Sequence, residues 1–262
     1  MRFSVLASGS TGNAIYVGTD RTSLLIDVGI TGKQAESSLE EIGVKPSELK
    51  GILVTHEHVD HVKGIGVMAR RYNIPIYANE KTWRELDGQI GTIKEEQRQS
   101  FEVGERREFE DLGVESFGIS HDAAEPMGFC FYQGKKKLSV ATDLGYVSSK
   151  IVETIRNADA YVFEANHDVE MLRMSQYPWT IKRRILSDVG HLSNEAAGEA
   201  LSDFLQGQGE RVFLAHLSKE NNMMELARLT VKNILEEKGL SVGNDIHLRE
   251  TYPHRPTRVE IL

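Results

Sequence analysis

The sequence predicts an α/β protein built as a four-layer αββα sandwich. Short apolar segments at residues 3–6, 14–17 and 23–27 predict strands that pair as hairpins at the front of the chain. Strands and helices then alternate, which is typical of sheets covered by helices. The 262 residues are enough for one sizeable core, or for two layers built around one core.

The later elements follow from periodicity and capping signals. Helical spacing predicts helices at 32–42, 62–71 and 223–238, and apolar runs predict strands at 51–54 and 74–78. Asn79 is expected to cap a short helix, and Ser193 or Asn194 to cap a helix through 196–204. Further strands are expected at 117–121, 137–143, 161–164, 211–216, 245–248 and 258–261. No repeat or linker divides the chain, so a single domain over 1–262 is expected.

The composition is that of an ordinary globular protein. Hydrophobic residues make up 40% of the chain and charged residues 27%. No apolar run approaches the roughly 18 residues of a membrane span, and the first residues do not resemble a signal peptide. The one cysteine, Cys130, has no partner for a disulfide within the chain. We therefore expect a cytoplasmic protein that does not bind a membrane.

A cluster of histidines and carboxylates directly follows the predicted buried strand at 51–54. Three of the nine histidines and two acidic residues lie within six positions: His56, Glu57, His58, Asp60 and His61. Four adjacent groups on a short turn cannot converge on one tetrahedral ion. They fit two neighbouring ions, with His56 and His58 facing one and Asp60 and His61 the other. Imidazole and carboxylate together suit zinc, manganese or iron.

The motif Thr-His-x-His-x-Asp-His after a strand resembles the central motif of the metallo-β-lactamase fold. Before and after this motif, further residues occur in the order of that family's motifs, each at the end of an apolar run: Asp27, His121, Asp143 and His216. The resemblance implies that Asp27 orients the metal loop and that Asp143 bridges two divalent metal ions, either zinc or manganese, with iron as a further candidate. The implied ligands are His56, His58, Asp60, His61, His121, Asp143 and His216.

The same resemblance implies a hydrolase that uses a hydroxide held between the two metals, with Asp60 among its catalytic residues. Glu164 and His191 are placed like a pair that phosphodiesterases of the tRNase Z type use near the scissile phosphate. We interpret His191 as a general acid or a phosphate ligand oriented by Glu164; the alternative is that it only anchors the start of a helix. His167 either orients a ligand or faces the substrate cleft.

Two further segments are candidates for substrate binding. The loop 7–13 contains Ser8, Ser10 and Asn13 among small residues, so it could cradle a phosphate or form a plain turn. The stretch 173–184 combines cations with two aromatic residues and ends in Arg183 and Arg184. It could grip a nucleic-acid backbone and stack a base, or form a solvated helix face.

The net charge of −8 gives no general support for nucleic-acid binding, although two divalent ions would add about four positive charges at the site. The whole pattern nevertheless resembles the YycJ/WalJ group of bacterial proteins. That resemblance implies a 5′-to-3′ DNA exonuclease, proposed to act in mismatch repair and encoded beside a two-component system.

Other hydrolases of this fold remain alternatives, with a thioester, a lactone or a cyclic phosphodiester as substrate. A thioesterase of the glyoxalase II type would add a C-terminal helical domain, which the sequence does not predict. A lactonase would favour a tyrosine in an apolar cleft. A non-catalytic regulator of the two-component system is a further alternative, although a regulator would not need seven intact metal ligands.

Overall fold

The computed structural model describes residues 1–262, which form two seven-stranded sheets. The strands of the first sheet are, in spatial order, β14 (Glu260–Ile261), β1 (Arg2–Ala7), β2 (Ala14–Gly18), β3 (Ser23–Ile26), β4 (Gly51–Leu53), β5 (Ile76–Ala78) and β6 (Arg98–Ser100). Those of the second are β13 (Ile246–Glu250), β12 (Glu210–Ala215), β11 (Ala160–Glu164), β10 (Lys136–Ala141), β9 (Met127–Gln133), β8 (Leu112–Gly118) and β7 (Arg106–Phe109).

Nine helices accompany the sheets. They are α1 (Gly32–Glu41), α2 (Val59–Val62), α3 (Ile65–Tyr72), α4 (Glu80–Leu86), α5 (Ser149–Ile155), α6 (Val169–Met174), α7 (Trp179–Ile185), α8 (Asn194–Phe204) and α9 (Met224–Glu237). No helix combines the length and the apolar character needed to cross a membrane. Two single-turn 3₁₀ helices lie at Pro46–Glu48 and Glu95–Gln97.

Three apolar clusters fill the spaces between these layers. One lies between the first sheet and α1, α3 and α4, and includes Leu25, Leu39 and Met68. The second joins the inner faces of the two sheets, and the third lies between the second sheet and α5, α8 and α9. Because each sheet has one face on the other sheet and one face on helices, the molecule has four layers. The predicted αββα sandwich is confirmed.

Parallel strands bring polar residues to one edge of the sandwich. In the first sheet β3 pairs in parallel with β4, and in the second sheet β10, β11 and β12 pair in parallel. Residues that follow the carboxyl ends of these strands therefore meet at the same edge, where open α/β sheets commonly bind ligands. Asp27, Asp143 and His216 each lie within two residues of such a strand end.

The predicted helix at 62–71 is wrong in its extent, because the structure has two helices there, α2 and α3. Between them, the amide of Gly64 donates to the carbonyl of Val28 at 2.7 Å, which ties this point to the chain beyond β3. A Cβ on Gly64 would overlap the carbonyl oxygen of Ile30. The break thus comes from close backbone packing, which helical spacing does not reveal.

His121 does not close a strand as expected, because β8 ends three residues earlier at Gly118. The chain beyond it is fixed by single hydrogen bonds, from Ile119 N to Pro126 O and from Gly145 N to Ser120 O. Strands β6 and β7 and helices α5 and α6 were not predicted, and α7 lies in the stretch 173–184, for which a helix face was one of two alternatives. All five are seven residues long or shorter, so their periodicity is weak.

Gly29, beyond the end of β3, packs closely against the segment that carries Asp60. Its amide donates to Asn13 O at 2.7 Å, and Asn13 N donates to Asp60 O at 2.8 Å. An added Cβ at Gly29 would overlap the carbonyl group of Asp60. This position therefore has no room for any side chain.

Gly29→Ala is expected to lower the free energy of unfolding by about 3 kcal/mol, since backbone atoms must move to admit the methyl group. In a chain of this size that corresponds to a fall in melting temperature of about 6–12 °C, which thermal unfolding would measure. Gly118→Ala is the matched control, because its Cβ would meet a single flexible group on Val103. Equal melting temperatures for the two variants would contradict the proposed packing.

Candidate metal centre

The carboxylate of Asp27 joins the start of the loop after β4 to α2. Its Oδ1 accepts from Thr55 N at 2.8 Å, and its Oδ2 accepts from Thr55 Oγ1 and faces His61 Nδ1, both at 2.7 Å. Burial raises the pKa of Asp27, an effect that His61 opposes. With Nδ1 occupied in this way, His61 presents Nε2 to the centre of the cluster. The role expected of Asp27, orienting the loop, has a direct geometric basis here.

Four groups of side chains have possible ligand atoms within 4.8 Å of one another. Two of these groups are His56, His58 and His121, and Asp60, His61 and His216; the other two groups both contain Asp143. Asp143 connects them, with Oδ2 at 3.4 Å from His61 Nε2 and Oδ1 at 3.7 Å from His121 Nε2. The structure thus brings all seven expected ligands together, in two sets that share one carboxylate.

Two buried atoms of this cluster lack any hydrogen-bond partner within the protein. They are His56 Nε2 and Asp143 Oδ2. The opposite nitrogen of His56, Nδ1, lies 2.9 Å from Thr55 Oγ1. Leaving such polar groups buried and unpaired costs about 1–3 kcal/mol each, whereas a divalent cation would satisfy both. The donor set of imidazole and carboxylate, without thiolate, therefore fits divalent metal ions.

The electrostatics of the cluster also favour a cation. Burial lowers the pKa of His61, but Asp143 and Asp27 together raise it to about 9. Burial and the neighbouring histidines hold the pKa of His56 well below its usual value, so His56 stays neutral as a metal ligand must. Burial raises the pKa of Asp143, but the nearby His216 and His61 lower it by more than that. The net pKa is below the usual value, so the carboxylate stays ionised.

Asp60 is the most accessible of the carboxylates, with 28% of its side chain exposed. Its Oδ2 lies 3.4 Å from His216 Nε2 and 3.6 Å from His61 Nε2. Burial raises its pKa, but the contact with His216 and the charge of His61 lower it well below the usual range. Asp60 is therefore an ionised group at the open side of the cluster.

Three residues at the ends of strands adopt left-handed backbone conformations. The φ angles of Asp27, Asp143 and His216 are 55°, 60° and 58°. A residue with a side chain pays about 1–2 kcal/mol for this conformation, and such outliers concentrate at functional sites. Each of these residues directly follows a strand or lies two residues beyond it, and each contributes its side chain to the cluster or to its support.

Glu164, at the end of β11, is fully buried and has four partners. Its Oε1 lies 2.9 Å from both His191 Nδ1 and His216 Nδ1, and its Oε2 accepts from Leu144 N at 2.7 Å and Leu192 N at 3.1 Å. Burial raises its pKa, but His191 and His216 lower it well below the usual range. Glu164 also lies in a group that could hold a metal ion, with Asp143, His191 and His216, but both of its oxygens already have hydrogen-bond partners.

His191 lies at the rim of the cluster, with 19% of its side chain exposed. Its ring centroid is 4.9 Å from that of His121 and 5.2 Å from that of His216. Since Nδ1 is held by Glu164, Nε2 is the atom available to a substrate. His167, by contrast, is buried and makes no side-chain hydrogen bond. Burial lowers its pKa to about 4, so it is a neutral group behind the cluster.

The residues expected to bind substrate fall into two classes. Ser8 and Asn13 are buried: Ser8 Oγ accepts from His216 N at 2.7 Å, and Asn13 Nδ2 lies 3.2 Å from His61 Nε2. Ser8 thus contacts the backbone of His216, and Asn13 contacts the nitrogen of His61 that faces the cluster. Ser10 is exposed and lines a cavity of about 220 Å³ together with Lys219. The loop thus joins the metal centre to an open cavity.

The stretch 173–184 forms α6 and α7 with an irregular link. Arg184 makes an ion pair with Asp122, the neighbour of His121, and Arg183 is exposed without an ion pair. Lys182 is buried and donates to Arg173 O and Ser175 O, so it fixes the end of α6. The stretch therefore has an exposed part, at Arg183, and a part that holds α6 in place, at Lys182.

Two residues that support the cluster were not anticipated. Thr55 links Asp27 to His56, and Asn166 Nδ2 donates to His216 O at 2.8 Å. Thr55 stands directly before the histidine motif, which is the signal that could have identified it. Asn166 has no such signal, because its contact joins two strand ends 50 residues apart.

Comparison with known proteins agrees with this architecture. The sequence model of the Beta-lactamase superfamily domain matches residues 22–217. The solved structure of the metallo-beta-lactamase fold protein YhfI from Bacillus subtilis superposes with a TM-score of 0.74, at 14% identity, over 98% of this chain and 99% of that one. At that identity the likeness shows the fold alone.

Two sequence relatives match over nearly their whole length. Exodeoxyribonuclease YycJ of Bacillus anthracis is 53% identical over 99% of this chain and 98% of its own. Exodeoxyribonuclease WalJ of Streptococcus pneumoniae is 46% identical over 98% of this chain and 96% of its own. The chain therefore belongs to the beta-lactamase superfamily and, within it, to the family that contains YycJ and WalJ.

Proposed function

We propose that the protein is a metal-dependent exodeoxyribonuclease that hydrolyses DNA phosphodiesters at the cluster of His56, His58, Asp60, His61, His121, Asp143 and His216. Two divalent cations would supply a nucleophile from water at neutral pH and offset the charge that develops on the phosphoryl oxygens. The relatives named as exodeoxyribonucleases, similar over 98% or more of this chain, support DNA as the substrate.

One observation carries the mechanistic part of this proposal: a single atom, Glu164 Oε1, contacts both His216 and His191. His216 belongs to the cluster, while His191 lies at its open rim. The shared carboxylate fixes the distance between the two rings and directs Nε2 of each away from itself. A proton on His191 Nε2 is thus held beside the place where a leaving oxygen departs.

The general-acid role suits the chemistry of DNA. The leaving group in DNA hydrolysis is a sugar alkoxide, which is a poor leaving group until it receives a proton. Glu164 Oε1 holds Nδ1 of His191 at 2.9 Å, so the nitrogen that would give a proton to the leaving group is Nε2. We therefore propose His191 as the proton donor, Glu164 as the residue that positions it, and Asp60 as a metal ligand at the open side.

The finer assignments are part of the proposal and follow from the family resemblance. They are zinc or manganese as the metal, degradation from 5′ to 3′, a role in mismatch repair in the cytoplasm and a link to a two-component system. The donor set is compatible with zinc, manganese and iron. The direction of degradation is testable with duplexes that carry phosphorothioates at one end of each strand.

The central prediction is that metal-stripped protein regains stepwise hydrolysis of end-labelled double-stranded DNA when manganese or zinc is supplied. Asp60→Ala is expected to reduce this activity by at least about 100-fold and to reduce the bound metal, because it removes a ligand and not only an orienting group. Activity is measured on sequencing gels, and metal content by mass spectrometry of the purified protein.

Asp203→Ala is the matched control, because Asp203 is exposed on α8 and makes no ion pair. It is expected to keep both metal content and activity. DNA left intact by the metal-loaded wild type, with hydrolysis of a thioester or lactone instead, would contradict the nuclease assignment and leave a metal-dependent hydrolase of another substrate.

The second prediction separates a proton donor from a phosphate ligand at His191. His191→Ala is expected to lower kcat on DNA by about 100-fold, with metal content unchanged. On thymidine 5′-(p-nitrophenyl) phosphate the same variant is expected to lose far less, because p-nitrophenolate leaves as a stable anion without a proton.

Equal losses on both substrates would refute the general-acid role and favour a phosphate ligand. Glu164→Gln provides the comparison, because this residue also orients His216 and receives two backbone amides. It is expected to lose activity on both substrates and to bind metal less tightly. The two variants therefore differ in metal content as well as in rate.

A further inference from the structure

A cleft lined by arginines runs along the edge of the sandwich where β13 and β14 end the two sheets. Its volume is about 670 Å³. The buried residues Phe213, Leu248 and Thr257 contribute to its lining. Four exposed arginines also line it: Arg228 on α9, Arg249 on β13, and Arg255 and Arg258 in the segment between β13 and β14.

The positive charge of this cleft is not neutralised within the protein. None of the four arginines makes an ion pair, and the one ion pair at the cleft joins its Glu260 to Arg211 at 3.0 Å. The other acidic residue of the lining, Glu250, has Tyr252 Oη as its partner at 3.4 Å. Four unpaired guanidinium groups are thus gathered in one place on a chain whose net charge is −8.

One end of the cleft adjoins the metal centre. Tyr252 O accepts from Ser8 N at 3.0 Å, and Ser8 Oγ accepts from His216 N at 2.7 Å. Arg255 stacks over the ring of Tyr252, with its guanidinium carbon 3.8 Å from the ring centroid. The neighbouring residues 251, 253 and 254 line the 220 Å³ cavity that also contains Ser10 and Lys219. The cavity and this end of the cleft are therefore lined by one segment, residues 251–255, and Ser8 joins that segment to His216.

The other arginines extend away from the metal centre along the strands. Arg249 lies opposite Phe213, three residues before His216 on the neighbouring strand. Thr257 N donates to Val5 O at 2.9 Å, three residues before Ser8, and Arg258 follows it. At about 3.3 Å per strand residue, the cleft reaches about 10 Å from the cluster. That distance corresponds to about three nucleotide steps of a DNA strand.

We propose that this cleft binds the sugar-phosphate backbone of the DNA beyond the nucleotide being removed. The inference rests on the proposed nuclease function and names a surface for its substrate. Guanidinium groups bind phosphates with two parallel hydrogen bonds, and spaced arginines suit a chain of phosphates better than a single anion. The cleft also supplies the local positive surface that a polyanion needs on an acidic protein.

Arg249→Ala combined with Arg258→Ala tests the proposal, with Lys150→Ala combined with Arg156→Ala as the control. Both pairs are exposed and remove two positive charges, but Lys150 and Arg156 lie at α5, outside the cleft. Binding is measured by the fluorescence anisotropy of a labelled duplex over a range of salt concentrations, and processing by the rate of duplex hydrolysis.

The cleft variant is expected to bind duplex at least about tenfold more weakly than the control variant, with a slope of log K against log salt about two units shallower, one per lost phosphate contact. Its hydrolysis of thymidine 5′-(p-nitrophenyl) phosphate should match that of the control, because this small diester needs the metal centre alone. Matching melting temperatures verify that the variant is folded.

The outcomes separate this inference from the function beneath it. If the wild type degrades DNA and the two double variants bind duplex equally, the cleft assignment is overturned and the nuclease stands. If the wild type hydrolyses the small diester but neither binds nor degrades DNA, both proposals fail. Displacement of DNA by poly-glutamate at equal concentration of charge would also overturn the DNA assignment and indicate an acidic protein as the occupant.

Discussion

The buried carboxylate of Asp27 is the interaction on which the geometry of the metal loop depends. It accepts from Thr55 at the start of the loop and holds Nδ1 of His61 at its end. Without this carboxylate, the polar segment 56–61 would lose the hydrogen bonds that hold it beside the apolar strand β4. A carboxylate in this position is costly by itself, so it is stable only with these donors around it, and the donors in turn become fixed in direction.

The second sheet repeats this arrangement with Glu164. Each sheet thus contributes one buried carboxylate that contacts histidines of the cluster: Asp27 contacts His61, while Glu164 contacts His216 and His191. The sandwich places the two carboxylates on opposite sides of one cluster. Asp143 and His216, which follow two of the parallel strands of this sheet, both adopt left-handed backbone conformations.

The parts of this structure that could be predicted from the sequence are those encoded by neighbouring residues. The strands with clear alternation, the helix caps at Asn79 and Ser193, and the proximity of His56 to His61 all follow from local order. The short helices between 169 and 185 carry too few turns to show a period. The contacts of Ser8 and Asn13 with the cluster were equally hidden, since the sequence alone does not show whether a small polar residue in a loop faces a substrate or another residue of the site.

The arginine cleft shows why overall composition is a weak guide to what a protein binds. A net charge of −8 argues against a polyanion as partner only if the charge is spread evenly. Here Asp27, Asp143 and Glu164 are buried beside the histidines of the cluster, and many other carboxylates form ion pairs with lysines and arginines on the surface. Arg228, Arg249, Arg255 and Arg258 come from a helix, a strand and a loop, and they meet only because the last segment of the chain crosses from one sheet to the other. The charge that a ligand meets therefore depends on the fold, because the fold decides which charged side chains form ion pairs and which remain unpaired.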